Sequence, residues 1–145
     1  MKLSTIRTIK QFCHGLHSEP CWREVLENIL DGETNFEVDN VRFITDDTIL
    51  RVLADELVSD DYLLGCFSAL FIAGQTDWPI ALIEAAQKGG EYEALGQAVA
   101  ENCDMEAFAE AYASVDGYGH HFNHYDSSEE ELNVNGVLFH VFDNH

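Results

Sequence analysis

Apolar residues recur at helical spacing through the first two-thirds of the chain and switch to alternation in two places, a pattern that predicts an α+β fold. Ser4 caps a predicted helix running to about His14, with Ile6, Ile9 and Cys13 on one face and Gly15 as the stop. Ser18 opens a second, with Pro20 in its first turn, a stripe of Trp22, Val25, Leu26, Ile29 and Leu30, and Asp31-Gly32 at its end. Thr45-Asp46-Asp47 is read as the cap of a helix carrying Ile49, Leu50, Leu53 and Leu57. Ser59-Asp60-Asp61 repeats the device ahead of Tyr62 to Ala73, which is apolar nearly all round and therefore expected at the centre. Three more helices follow: one after Trp78-Pro79 that Gly89-Gly90 stops, then Glu91 to Ala100 and Met105 to Ala113. The expectation is an N-terminal and central helical bundle of about seven short helices.

The spacing changes to period two at Phe36, Val38, Val41 and Phe43, so residues 36–44 are expected as a short hairpin or one bulged strand, broken at Asp39-Asn40. Near the C-terminus, Asn135-Gly136 marks a two-residue type I′ turn, because both residues tolerate positive φ. Such a turn dictates register. Val134 then faces Val137, Leu132 faces Phe139 and Glu130 faces Val141 on one side of the hairpin. On the other side Asn133 faces Leu138, Glu131 faces His140 and Glu129 faces Phe142. The run His120 to Tyr125 is expected to add a third strand through the Asp126-Ser127-Ser128 turn, completing a C-terminal antiparallel β-meander.

At 145 residues, 46% of them hydrophobic, the chain suits a single domain over residues 1–145 with one core. No apolar run reaches the roughly 18 to 20 residues of a membrane span. Residues 1–11 lack the apolar segment and small-residue cleavage site of a secretory signal, so a cytoplasmic protein with no membrane partner is expected. Cys13, Cys21, Cys66 and Cys103 form no C-x-x-C pair and lie in or beside helical stretches, where small buried thiols are a common core choice.

Charge changes the picture more than composition does. There are 27 acids against 7 Lys plus Arg, a net of −20, and the imbalance is uneven. Residues 1–42 carry five of the basic residues and a net of −2, whereas residues 43–145 hold only Arg51 and Lys88 against twenty acids, a net of −18. A basic stripe is the footprint of nucleic-acid binding, so direct contact with DNA, RNA or anionic lipid is disfavoured. The candidate partner-binding acids are Asp46, Asp47, Asp55, Glu56, Asp60, Asp61, Glu91, Glu93, Glu129, Glu130 and Glu131. Helix capping accounts for where some of them sit but not for the scarcity of Lys and Arg around them. Duplex DNA carries one charge per ~1.7 Å of axis, so eighteen unbalanced carboxylates along one face would match about 30 Å of duplex.

Five of the seven histidines, His120, His121, His124, His140 and His145, fall in the last 26 residues. On one strand, His120 and His124 would stand about 13 Å apart at ~3.3 Å per residue, too far for a shared metal. His121 with Asp126 and His140 across strands is the remaining grouping for a metal-dependent or acid/base enzyme. Cys13 and His14 point about 100° apart on a helix and make no nucleophile-base pair. No P-loop, G-x-S-x-G or G-x-G-x-x-G occurs, so neither a cofactor nor a catalytic residue is assigned. Acidity as adaptation to a salty cytoplasm is a further alternative.

The segment Asp116-Gly117-Tyr118-Gly119-His120-His121-Phe122 with Tyr125-Asp126, and Leu64-Gly65-Cys66-Phe67, resemble small acidic proteins of phages, prophages and plasmids. Mobile elements encode small acidic inhibitors of restriction and CRISPR enzymes, some of them DNA mimics. The resemblance implies a setting and transfers no site residue; the −18 balance of residues 43–145 makes the leading expectation a non-enzymatic protein that binds a basic, nucleic-acid-binding host protein as a DNA-mimic inhibitor.

Overall fold

The computed structural model describes residues 2–145 and divides into two compact units, one made of the residues up to Ile49 together with Asp116–His145, the other of Leu50–Val115. In chain order the elements are α1 (Leu3–Gly15), α2 (Trp22–Leu30), β1 (Asn35–Val38), β2 (Val41–Thr45), α3 (Ile49–Val58), α4 (Asp61–Gly65), α5 (Ala69–Thr76), α6 (Ile80–Lys88), α7 (Tyr92–Asn102), α8 (Met105–Asp116), α9 (Tyr118–Phe122), β3 (Glu130–Val134) and β4 (Val137–Asp143). The fold is α+β, with nine helices among the described residues and one antiparallel sheet. No helix of the described residues is long and apolar enough to cross a membrane.

In the first unit the sheet order is β1-β2-β4-β3. Both hairpins turn on two residues with positive φ, Asp39 (50°) and Asn40 (69°), then Asn135 (53°) and Gly136 (86°), the type I′ requirement that Asx and Gly meet with least strain. The C-terminal hairpin has the register its turn dictates, with Leu132 opposite Phe139 and Glu131 opposite His140. Pairing of β2 with β4, Ile44 opposite His140 and Phe43 opposite Val141, then joins the two hairpins.

The two faces of this sheet differ. Val38, Val41, Phe43, Leu132, Val134, Phe139 and Val141 form a core with Ile9 and Cys13 of α1 and Val25 of α2. Burial of such side chains is worth about 1.5–3 kcal/mol each. On the opposite face Phe122 of α9 packs on Phe142 with ring centroids 5.2 Å apart, and the Arg42 guanidinium lies 4.9 Å from the Phe122 ring.

Three local expectations are corrected in this unit. Ser4 lies inside α1, whose N-cap is Lys2 without a side-chain bond. Helix α2 starts at Trp22, and Ser18 instead donates its amide and hydroxyl to the buried carboxylate of Asp143 on β4. The run His120 to Tyr125 is not a strand: Tyr118–Phe122 is helical, and the next residue, Asn123, is a buried turn hub. Asn123 Nδ2 donates to Asp126 Oδ1 and the Ser128 carbonyl, both at 2.9 Å, while its Oδ1 accepts from the amides of Tyr125 and Asp126. A Cβ on Gly119 would stand 2.1 Å from the Ser127 carbonyl oxygen, so glycine permits the helix to lie against that turn.

In the second unit α4 and α7 meet backbone to backbone. A Cβ on Gly65 would fall 1.9 Å from the Tyr92 carbonyl oxygen, and one on Gly96 would fall 1.7 Å from that of Asp61. The expected single helix Tyr62 to Ala73 is broken here. Gln87 Nε2 donates to the carbonyls of Gly65 and Phe67 exposed by the break, and Ser68 restarts the chain as α5 by accepting the Phe71 amide. Nor is the run uniformly buried, since Tyr62 is 55% and Leu70 73% exposed. Phe67, Phe71, Phe108 and Tyr112 form an aromatic cluster with centroids 4.9–5.5 Å apart.

The four cysteines are free, but only Cys13 is buried; burial raises its thiol to about 11, while Cys21 and Cys66 are exposed.

Candidate functional site

By structural unit, the charge divides differently from the way it divides along the chain. The first unit contains fifteen acids and five Lys plus Arg, the second twelve acids and two, so each carries a net of −10. Asp46, Asp47, Glu129, Glu130 and Glu131 belong to the first; Asp55, Glu56, Asp60, Asp61, Glu91 and Glu93 belong to the second. Eight of these eleven are exposed, and Glu56, Asp61 and Glu129 are half-buried.

Their local roles are unequal. Asp60 is a cap, accepting the Leu63 amide at 3.0 Å, and Asp61 opens α4 beside it, where the helix dipole favours a negative charge. Glu91 occupies the N-cap position of α7 without a side-chain cap bond, and Glu93 lies in its first turn. Asp55 and Glu56 are on α3. Asp47 lines an open cleft of about 420 Å³ beside Glu33, Val137 and Phe139. Asp46, read from sequence as a cap, has a different partner.

That partner is His140, on the central strand β4 and only 7% exposed in its side chain. Its Nε2 lies 2.7 Å from Asp46 Oδ1 and its Nδ1 3.1 Å from Glu129 Oε2. Three features bring these groups together. Strand β2 pairs with β4 and ends one residue before Asp46, whose amide donates to the Leu138 carbonyl at 2.9 Å. The β3–β4 register sets Glu131 directly opposite His140. Two residues earlier, Glu129 reaches the same side, as period-two alternation requires. The Tyr118 ring closes the remaining side, edge-on at 5.2 Å.

The ring is held as a cation. The Glu129 hydrogen bond leads the effect, burial opposes it, and the Asp46 hydrogen bond and both carboxylate charges add to it, raising His140 to about 9. A general base works best with a pKa near the operating pH, and this imidazole has neither that nor a free nitrogen. The grouping of His121 with Asp126 and His140 is therefore corrected. His140 uses its two nitrogens on Asp46 and Glu129, Asp126 binds Asn123 and Ser128, and His121 is a residue of α9 with its ring against Phe122. The strand spacing expected between His120 and His124 likewise does not apply, because His120 is helical.

No family model, curated protein or solved structure matches this chain.

Among the described residues, one set of three or more metal-ligating side chains converges: Glu129, Glu131 and His140, with ligand atoms within 4.8 Å of one another. Sequence reasoning held one part of this cluster, the Glu131 and His140 pair, through the hairpin turn. It named Asp46 as a cap and a partner-binding acid but missed its contact with His140, which spans 94 residues of chain. A buried acid escaped it too: burial works against ionisation of Asp143, but the two Ser18 hydrogen bonds and His145 hold its carboxyl below the usual range.

Proposed function

We infer that this is a non-enzymatic acidic binding protein that docks on the cationic, nucleic-acid-binding surface of a partner, in the manner of a DNA mimic. The observation that carries the reading is the balance of −10 in each unit, with eight of the eleven candidate carboxylates exposed. Ten unbalanced charges correspond to about 17 Å of duplex at the charge spacing of DNA. Such a field destabilises a compact chain by self-repulsion, and ordinary surfaces relieve it by interspersing lysine and arginine. A partner's basic groove supplies the missing cations, and long-range attraction accelerates the encounter. A restriction or CRISPR component is the class of host protein that such an inhibitor would meet.

The test is equilibrium binding to purified restriction and CRISPR nucleases over rising salt, with duplex DNA as competitor. Affinity should fall steeply with ionic strength, DNA should displace the protein, and Asp47→Asn with Glu91→Gln, Glu93→Gln and Glu130→Gln should weaken binding and flatten its salt dependence. Affinity that does not respond to salt, or a complex that tolerates bound DNA, refutes the reading.

A further inference from the structure

We propose that Glu129, Glu131 and His140 bind one divalent first-row transition-metal ion, with Asp46 as the positioning residue behind the histidine. The cluster is more than a patch of acids, because its centre is an imidazole 7% exposed in a central strand, where packing fixes the ring. Its Nδ1 faces Glu129 at 3.1 Å, so the ion takes the place of the proton shared there and releases it to water, and Glu131 is directly across the β3–β4 pair. On the far side Nε2 bonds Asp46 at 2.7 Å. Ligating histidines commonly donate their second nitrogen to a carboxylate, which fixes the tautomer and makes the first nitrogen a better donor.

Distances allow the site to close. An ion with bonds of about 2.0–2.2 Å needs ligand atoms no more than about 4.2 Å apart. The three ligand atoms lie within 4.8 Å, and Glu131 is exposed at the edge strand and free to rotate inward. One nitrogen and two carboxylate oxygens suit Zn²⁺ or Mn²⁺ better than Mg²⁺ or Ca²⁺, which prefer all-oxygen shells. Three protein ligands leave the remaining positions to water.

Nonspecific condensation of cations on an acidic protein is the competing outcome, and the adjacent acid separates the two. Glu130 is exposed and pairs with Val141, so it points to the other side of β3. The experiment is titration of the full chain, freed of metal by a chelator, with Zn²⁺ and with Mn²⁺ at about 0.15 M salt. One saturable site per chain is expected. Glu131→Gln and Asp46→Asn, each checked for an unchanged circular-dichroism spectrum, should lower its affinity at least about tenfold, and Glu130→Gln should leave it unchanged. Mn²⁺ should broaden the NMR signals of the His140 ring before those of other histidines. Binding without saturation at one ion, an equal loss in Glu130→Gln, or a His140 ring untouched by Mn²⁺ overturns the proposal.

Discussion

Removing Glu129 from the buried His140 tests the electrostatics of the cluster most directly. A rise from 6.5 to about 9 corresponds, at ~1.36 kcal/mol per pH unit, to a ceiling of about 3 kcal/mol of folding stability. Solvent reduces it, because the Asp46 side chain is 62% and the Glu129 side chain 25% exposed, which leaves an expected ~1–2 kcal/mol. The folded pKa is the higher one, so this stability is present in full below about pH 6.5 and is lost as pH rises through about 9. Glu129→Gln should therefore lower the urea-unfolding free energy by ~1–2 kcal/mol at about pH 6, with the difference from wild type shrinking towards zero by about pH 10. Asp46→Asn should do the same by a smaller amount, since the Glu129 bond is the leading cause. A chelator keeps metal out of the measurement. Direct NMR titration of the His140 ring should show a midpoint near 9 in the wild type and a lower one in Glu129→Gln. A wild-type midpoint near 6.5, or a stability difference that ignores pH, would refute the reasoning.

Two further expectations concern the scaffold. Gly96→Ala sets a Cβ 1.7 Å from the Asp61 carbonyl and forces α4 from α7, so thermal unfolding should show a loss of ~3 kcal/mol or more, whereas Gly74→Ala, with nothing within 4 Å, should be neutral or stabilising by up to ~1 kcal/mol. Asn123→Ala removes a buried amide that bonds both sides of the 123–128 turn and should cost ~2–4 kcal/mol by chemical denaturation, with hydrogen exchange accelerated at Tyr125 and Asp126.

The segments Leu64–Phe67 and Asp116–Asp126 each contain a glycine at a close backbone approach, Gly65 against Tyr92 and Gly119 against Ser127. Their residues thus serve the packing of this fold.

Sequence alone determined what short-range physics controls. Turn chemistry at Asn135-Gly136 set the hairpin register and with it the Glu131 and His140 pair, because a shift by one residue would turn Leu132, Phe139 and Val141 out of the core. Helix faces such as Ile9 and Cys13 were equally legible from period 3.6. The break between α4 and α5 was written in Gly65 and Ser68 but masked by the apolar run around them. Only tertiary structure decided the rest. Pairing of β2 with β4 carries Asp46 to His140 across 94 residues, and nothing local to Asp46 distinguishes a helix cap from a histidine partner. The same holds for Ser18, drawn 125 residues along the chain to Asp143, and for His120 to Tyr125, where the bonds of Asn123 and the packing of Phe122 on Phe142 override an alternating pattern. Hydrogen-bonding side chains take whichever partner the fold delivers, and that delivery is a property of the assembled sheet.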